Sequence, residues 1–188
     1  PQHAMFHELT FGEPKAPTGE NLLRKWPFDR FQVGEDITQV LRVGGEGEYS
    51  VEITDDRAFV GERALKITVG HNSHASFSYY PFIEEGSYRF SIRYYADPLG
   101  QPDPGRPAEA PVSRVIFRTK GGRAVSDSKQ YSWTRSPAEQ AQGRWADHNH
   151  VFRTLPGTER TSITVFIHRP GTYWLDDVKQ ITPSLLSF

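Results

Sequence analysis

The sequence lacks cysteine, a net charge of either sign and any long hydrophobic run. Its 188 residues include no cysteine, which excludes disulfides and thiolate metal sites but assigns no compartment. The 22 lysines and arginines are balanced by 23 acidic residues, so the formal net charge is −1 and no overall field points to nucleic acid or a membrane surface. No apolar run approaches the length of a membrane span. We therefore expect no nucleic-acid partner and no membrane partner.

What the chain does contain fits one aromatic-rich domain. A length of 188 residues is enough to bury a sizeable core without disulfides, and aromatic residues make up 13% of the chain. The chain opens at Pro1 and has its single methionine at Met5. We therefore expect a processed or excised piece of a longer protein.

Short strand-like runs separated by glycine and proline turns recur about every ten residues, which is typical of an all-β sandwich or barrel. Helical signal is weak, with room for one turn in 136–142, and residues 97–111 are predicted to form a long irregular loop. Residues 1–20 have no period and indicate an arm or linker, 21–182 the β domain, and 183–188 a tail. We predict strands at 37–43, 49–54, 63–69, 75–80, 87–95, 112–119, 129–134, 149–154, 161–168 and 172–180.

Alternation within three of these runs predicts which residues face the core. In 87–95 one face carries Tyr88, Phe90, Ile92 and Tyr94, in 112–119 one face carries Val115 and Phe117, and in 161–168 one face carries Ile163, Val165 and Ile167. The opposite faces carry arginine, histidine and further aromatic residues. Two sheets packed on their apolar faces make an antiparallel sandwich. If these strands are neighbours, their outer faces form one basic, aromatic surface.

Two adjacent aspartates near the end of the chain interrupt a run that otherwise indicates a buried strand. Neighbouring residues of a strand point to opposite faces, so at most one of Asp176 and Asp177 faces solvent. A carboxylate that points inward needs a partner or a metal ion. The alternative is that the strand ends at Leu175 and both aspartates lie in a turn.

Five motifs, in order along about 160 residues, resemble the jelly-roll carbohydrate-binding modules of families four, nine, sixteen and twenty-two, which share a galactose-binding-like sandwich. The resemblance implies an all-β, two-sheet antiparallel jelly roll. The matching segments are Asn21-Leu22-Leu23 with Phe28-Asp29, Gly61 to Ile67, Glu85 to Ser91, Gly143-Arg144-Trp145, and Gly171 to Val178.

The resemblance also implies a structural calcium ion that ties the opening segment to the last strand. Its side-chain ligands would be Asp29 and either Asp176 or Asp177, with backbone carbonyls from the 55–63 loop. Oxygen ligands alone suit a hard cation. Asp29 departs from the family, which usually has glutamate at this place.

Sugar binding by such modules uses aromatic faces and planar polar side chains. Several arginines on one sheet face suggest an acidic polysaccharide, since arginine forms paired hydrogen bonds with carboxylates and sulfates. For the aromatic residues the alternative is a core position, and for the arginines a solvated face neutralised by nearby acids. The candidate ligand-binding residues are Arg93, Arg118, Tyr131, Trp133, His168 and Trp174.

A pair of histidines, His148 and His150, falls on one face of a strand, where it could bind a metal ion. No third ligand is indicated, so a solvated strand start is the better interpretation.

We therefore expect a non-catalytic carbohydrate-binding module, tethered to a catalytic domain of a larger secreted polysaccharide-degrading protein. No catalytic residue is assigned. One alternative is a small jelly-roll lyase or hydrolase, for which Arg93, Arg118, Tyr131 and His168 would have to share one face. Another is an ancillary structural domain that binds no ligand.

Overall fold

A computed structural model describes residues 28–38, 41–127 and 130–182. The expected arm at 1–20, the tail at 183–188 and the Asn21-Leu22-Leu23 motif lie outside these residues. The described helical elements include 3-10 turns at Phe28–Arg30 and Ala138–Ala141, the second of which matches the turn expected in 136–142. Among the described residues, no helix is both long and apolar enough to cross a lipid bilayer.

Within the described ranges, ten strands form two five-stranded antiparallel sheets, which confirms the all-β sandwich. In the first sheet the order is β1-β4-β9-β6-β7, and in the second it is β2-β3-β10-β5-β8. In chain order the strands are β1 Arg42–Glu46, β2 Tyr49–Thr54, β3 Ala64–Val69, β4 His74–Tyr79, β5 Ser87–Leu99, β6 Val112–Arg118, β7 Ser132–Arg135, β8 Ala146–Arg153, β9 Arg160–Ile167 and β10 Gly171–Ile181.

The core lies between the two sheets and follows the alternation seen in the sequence. Tyr88, Phe90, Ile92 and Tyr94 of β5 are all buried, while the residues between them are exposed or half-buried. The odd positions of β6 and β9 fill the opposite side of the same core. Burying these apolar side chains is the main force that holds the sheets together.

The long strand β5 corrects one expectation, because it continues through Pro98 to Leu99 rather than ending in a loop at Asp97. Its partner β10 is also long, and Gly171 pairs with Leu99 at the far end of the ladder. The ladder supplies partners for the backbone beyond Asp97, so the irregular segment before β6 is shorter than predicted.

Candidate functional site

A groove of about 330 Å³ crosses the outer face of the first sheet. Its floor is made of short hydroxyl side chains, because even-numbered residues of β4 and β9 point away from the core. Ser78 and Thr164, paired across the two strands, bond to each other through their hydroxyls at 2.8 Å. We call the outer face of the first sheet the groove face; the groove itself is lined by Arg42, Val43, Gly44, Ser76, Ser78, Tyr80, Arg114, Arg118, Ser162, Thr164 and Phe166.

Two arginines of β6 project from the floor. Arg118 donates from Nε to the Ser162 hydroxyl and from Nη1 to the Gly122 carbonyl at 2.8 Å, which uses two of its five N–H donors. Arg114 lies over Phe166, with 5.1 Å from its guanidinium carbon to the ring centroid. Its Nε is buried and finds no hydrogen-bond partner among the described residues. The structure therefore holds an oriented donor without an acceptor.

Two further arginines surround Tyr80 at one end of the groove face. Arg42 donates from Nη1 to the Tyr80 hydroxyl at 3.3 Å, and this contact raises the pKa of Arg42. Arg160 lies with its guanidinium carbon 5.5 Å from the Tyr80 ring centroid and 5.0 Å from that of Phe82. Four guanidinium groups thus share one sheet face.

A row of rings occupies the other end. Trp133 packs on Phe166 with centroids 6.2 Å apart, Phe166 on His168 at 5.6 Å, and His168 on His74 at 5.1 Å. Trp133 lies on the edge strand β7 and remains 49% exposed. The row therefore ends in an aromatic surface open to solvent.

The groove face is strongly cationic although the whole chain is nearly neutral. No carboxylate occurs among the described residues that line the groove, and Glu46 of β1 lies opposite His74 beyond its end. Burial lowers the pKa of Arg114, and the positive charge of Arg118 adds to that effect. Burial also lowers the pKa of His168, with further contributions from His74 and from the nearby Arg106 and Arg135. Burial is the larger cause of both shifts, and the neighbouring cations add to it.

The structure divides the six predicted ligand-binding residues between the two outer faces. Arg118, Trp133 and His168 lie on the groove face. Tyr131 precedes β7, half-buried, and is close enough to Arg114 to affect its pKa. Arg93 and Trp174 belong to the second sheet.

Arg93 and Trp174 already have partners on the second sheet. Arg93 forms an ion pair with Asp147 at 2.9 Å and lies 4.4 Å over the ring of Phe59. Trp174 is 7% exposed and donates from Nε1 to Asp56 at 2.6 Å. Because Arg93 is on the opposite side of the sandwich from Arg118 and His168, the four-residue arrangement needed for the lyase alternative does not assemble.

The predicted metal ligands contact the 55–63 loop, as the resemblance implies, but through different atoms. The Asp29 carboxylate accepts from the amide of Arg63 at 2.8 Å and that of Glu62 at 3.1 Å. Asp176 is buried, and its Oδ2 accepts from the amides of Phe59 at 2.8 Å and Val60 at 2.9 Å. The loop thus presents N–H groups to both carboxylates.

This donor set does not fit a calcium ion, which needs oxygen ligands. Arg63 places its own cation at the site, donating to the carbonyls of Asp29 and Phe31. Asp177 pairs with Lys179 at 3.1 Å. No cluster of three or more potential ligating side chains occurs in the described part of the chain. Calcium remains a prediction from the resemblance.

The strand through the two aspartates also resolves the question that the sequence left open. β10 continues past them with a bulge between Asp176 and Lys179, and Asp177 adopts a φ of 51°. Asp176 is buried under the 55–63 loop, on the same side of the sheet as Trp174, rather than in the sandwich interior. Burial raises its pKa, although three backbone amides oppose the shift.

The expectation of a solvated strand start at His148 and His150 is wrong. Both side chains share one face of β8, but that face points into the core and both residues are fully buried. Serine hydroxyls of the first sheet occupy all four ring nitrogens. The partners are uncharged and none is a metal ligand of the histidine or carboxylate type.

Sequence reasoning missed Arg42, His74 and Tyr80. For His74 and Tyr80 the sequence did contain a signal. His74, Ser76 and Ser78 alternate with apolar residues along β4 and so share one face, and Tyr80 continues the same alternation directly after the strand. Arg42 gave no local signal, since β1 is a short edge strand and its neighbour β4 is more than 30 residues away in sequence.

The fold of this chain also occurs in proteins of known structure. No protein-family model matches the sequence, and neither does any curated protein. Among solved structures, the enzymatically active domain of bacteriophage CBA120 tailspike protein 4 matches at 12% identity with a TM-score of 0.56, over 74% of this chain and 19% of that one.

A structure of carbohydrate-binding modules from the β-sandwich superfamily matches at 16% identity with a TM-score of 0.53, over 75% of this chain and 56% of that one. The CBM22-1 xylan-binding domain of Paenibacillus barcinonensis Xyn10C matches at 14% identity and a TM-score of 0.45, over 76% and 86%. This chain spans about a fifth of the tailspike chain and somewhat over half of the carbohydrate-binding-module chain with the TM-score of 0.53. The chain has the jelly-roll sandwich fold of carbohydrate-binding modules.

Proposed function

We propose that the groove face binds a polysaccharide, and that this polysaccharide is acidic. One observation carries the proposal: four arginines and an exposed tryptophan share a sheet face, and the groove that crosses this face has no carboxylate among its described lining residues. The solved structures with this fold include carbohydrate-binding modules, which supports a sugar ligand.

Each part of the groove face has a chemical counterpart in an acidic glycan. The guanidinium groups of Arg114 and Arg118 suit carboxylate or sulfate oxygens, which accept two parallel hydrogen bonds. The exposed ring of Trp133 offers a flat apolar surface to the C–H face of a sugar ring. The hydroxyls of Ser78 and Thr164 donate to and accept from sugar hydroxyls.

We further propose that the domain is a non-catalytic part of a larger secreted polysaccharide-degrading protein, tethered to its catalytic domain. Two observations support this arrangement: the chain spans only a part of the matching chains, and one of these is the enzymatically active domain of a tailspike. The module's contribution would be to hold the polymer close to the catalytic site, raising its effective concentration.

Affinity electrophoresis through gels that contain polymers tests the proposal. We expect retardation by a polyuronate and by a sulfated glucan, and much weaker retardation by neutral xylan or β-glucan. Replacing Trp133 with alanine should weaken binding roughly tenfold, the effect of losing one stacking contact. The double change Arg114→Ala/Arg118→Ala should abolish the preference for acidic polymers.

Matched controls lie on the second sheet. Tyr49 is 38% exposed outside the groove, and Arg89 and Arg153 are exposed arginines on β5 and β8. Tyr49→Ala and Arg89→Ala/Arg153→Ala should bind like the parent. Reducing ends and unsaturated uronate absorbance are followed in the same samples, and product release would establish an enzyme instead. Equal retardation of the variants and the parent would place the binding surface elsewhere.

A further inference from the structure

Five side chains form one continuous hydrogen-bonded chain inside the sandwich. Ser136 Oγ lies 2.6 Å from His148 Nδ1, and His148 Nε2 lies 2.7 Å from Ser113 Oγ. The same Ser113 oxygen lies 2.7 Å from His150 Nδ1, and His150 Nε2 lies 2.7 Å from Ser132 Oγ. We call it the serine–histidine chain. No step of the proposed sugar binding uses it.

The serine–histidine chain fastens one sheet to the other. The histidines belong to β8 of the second sheet, whereas Ser113 lies on β6, Ser132 on β7 and Ser136 directly after β7. Strand β7 is an edge strand that pairs with β6 alone among the described strands. Its outward residues are exposed and its half-buried ones are Ser132 and Thr134, so no apolar side chain of β7 anchors it in the core.

The anchored strand carries part of the groove face. Trp133 lies between Ser132 and Thr134, and its neighbour across the ladder is Arg114. Loss of the hydrogen bonds at Ser132 and Ser136 would leave β7 with its ladder to β6, the backbone contacts of Ser136 to Ala110 and Pro111, and the packing of the Trp133 ring on Phe166. The serine–histidine chain is the contact of β7 with the second sheet, so the position of Trp133 depends on it in part.

Counting the N–H and O–H hydrogens shows how many added protons the serine–histidine chain can accommodate. Each neutral imidazole has one N–H, so Ser113 can accept from one histidine and donate to the other. One added proton is tolerated if His148 donates at both nitrogens, since Ser113 still donates to His150. A second proton gives Ser113 two facing N–H donors and leaves its own hydrogen without an acceptor in the chain. Two like charges would then flank one buried oxygen.

The surroundings of the two rings offer nothing that would stabilise these charges. Phe90 packs edge-on against His148 and Phe152 against His150. The other titratable group that contacts the chain is Tyr94, which bonds Ser136 and Pro137, and the charges of Asp147 and Glu139 act on Tyr94. Burial lowers the pKa of both histidines to about 4, and for His148 the charge of His150 adds to the effect.

We propose that the serine–histidine chain is an acid-sensitive latch, which releases β7 and Trp133 from the groove face when both histidines are protonated. Glycan bound on that face is then released in acid. The latch itself is a property of the free protein, and its effect on glycan rests on the proposed function.

The direction of the pH dependence distinguishes the latch from the groove face itself. Acid protonates His168, which adds positive charge beside the arginines and should strengthen binding of an anion. The latch acts in the opposite direction. A loss of affinity for a fully sulfated glucan between pH 7 and pH 4 therefore cannot come from the surface histidines.

Amide hydrogen exchange tests the latch without any ligand. Protection factors, which correct for the intrinsic pH dependence of exchange, are compared at pH 7 and pH 4. We expect those of Ser132–Arg135 to approach 1 at pH 4, while those of β9 in the same sheet decline with global stability but stay at least tenfold higher. In Ser113→Ala we expect the low protection of β7 already at pH 7, with Ser50→Ala on β2 as the matched control.

Two outcomes would overturn the latch: β9 becomes as unprotected as β7 at pH 4, or β7 keeps its protection. Both can be observed with the unmodified protein, so the test survives even if Ser113→Ala does not fold. Binding to a sulfated glucan is measured in parallel and should weaken as the pH is lowered from 7 to 4. Selective opening of β7 without measurable binding at either pH would uphold the latch and contradict the proposed function.

Discussion

At the scale of single residues, the contact between Gly61 and Asp29 shows how closely the opening segment and the 55–63 loop approach. Gly61 has a φ of 64°, a conformation that favours glycine. A Cβ built at this position would lie 1.8 Å from Asp29 Oδ2, while the same carboxylate accepts the amides of the next two residues. The absence of a side chain at 61 is what lets the carboxylate reach those amides.

Gly61→Ala should therefore destabilise the fold by two effects at once. The left-handed φ costs about 1 kcal/mol for alanine, and displacement of Asp29 adds the loss of its hydrogen bonds, about 1–3 kcal/mol more. Urea unfolding measures the total. Gly105→Ala isolates the first effect, because Gly105 has a φ of 76° with nothing near the added Cβ. Equal losses in the two variants would mean that the Asp29 contact contributes nothing.

The carboxylates predicted to hold calcium make a second residue-scale prediction. Since Asp29 and Asp176 both accept backbone amides, we expect EDTA to leave the melting temperature unchanged. Asp176→Ala should lower the free energy of unfolding by about 3 kcal/mol, because buried amides then lose their acceptor. A melting temperature that falls in EDTA and recovers with calcium would instead support the ion that the family resemblance implies.

At the scale of elements, strand β8 makes global stability depend on pH. Its two histidines have pKa values lowered to about 4, against about 6.5 in an unfolded chain. As the pH falls from 6.5 to 4, these histidines therefore become protonated in the unfolded state while they stay neutral in the folded state. The free energy of unfolding therefore keeps its full value above pH 6.5. Between pH 6.5 and 4 it declines by about 1.4 kcal/mol per pH unit for each histidine. Urea unfolding at pH 7, 6, 5 and 4 measures the slope.

Asp176 changes the pH dependence of the free energy of unfolding in the direction opposite to the two histidines. Burial raises the pKa of this carboxyl, so its contribution to stability increases as the pH falls and partly offsets the histidines. His150→Gln keeps a hydrogen-bonding side chain but removes one titration. We expect the variant to lose about half of the pH dependence between pH 6.5 and 4, and an unchanged slope would contradict the assignment to the β8 histidines.

The strands themselves were largely predictable because a half-buried strand has a period of two. The apolar even positions of β5 and the odd positions of β6 and β9 all face the core as the alternation indicated. The side chains of the 55–63 loop have no such period, so nothing in the sequence showed that this loop covers Asp176. The buried histidines were misread for a related reason: a polar residue on the core face is recognisable only when its partner strand is known.

At the scale of the whole molecule, positive charge is concentrated on one face although the total charge is close to zero. The net charge is −1, yet the groove face carries four guanidinium groups. Binding to an acidic polymer should therefore weaken as salt rises, because the Debye length shortens to about 8 Å at physiological ionic strength. Affinities measured from 0.05 to 0.5 M NaCl should fall steeply for the parent and only slightly for Arg114→Ala/Arg118→Ala. A salt-independent affinity would exclude an electrostatic role for these arginines.

The division of the candidate site also arises at this scale. Arg93 and Arg118 look equivalent in the sequence, since each is a cation in the middle of an alternating strand. Sheet order separates them, with β5 placed in one sheet and β6 in the other. Pairing between strands far apart in sequence decides that order, and local pattern carries no information about it. Trp133 and His168 could be nominated from their residue types, but their shared face depended on the topology.

The central position of β10 has a consequence for how the protein is made. In its sheet, β10 lies between β3 and β5, strands that precede it by about a hundred and by seventy to eighty residues. Until residues 171–181 have left the ribosome, β3 and β5 both expose unpaired backbone edges, and the core has no Tyr173 or Leu175. Such long-range closure is slow, so the unpaired edges of β3 and β5 stay open to pairing with other chains until β10 is in place. A chain truncated before Gly171 could not complete its second sheet.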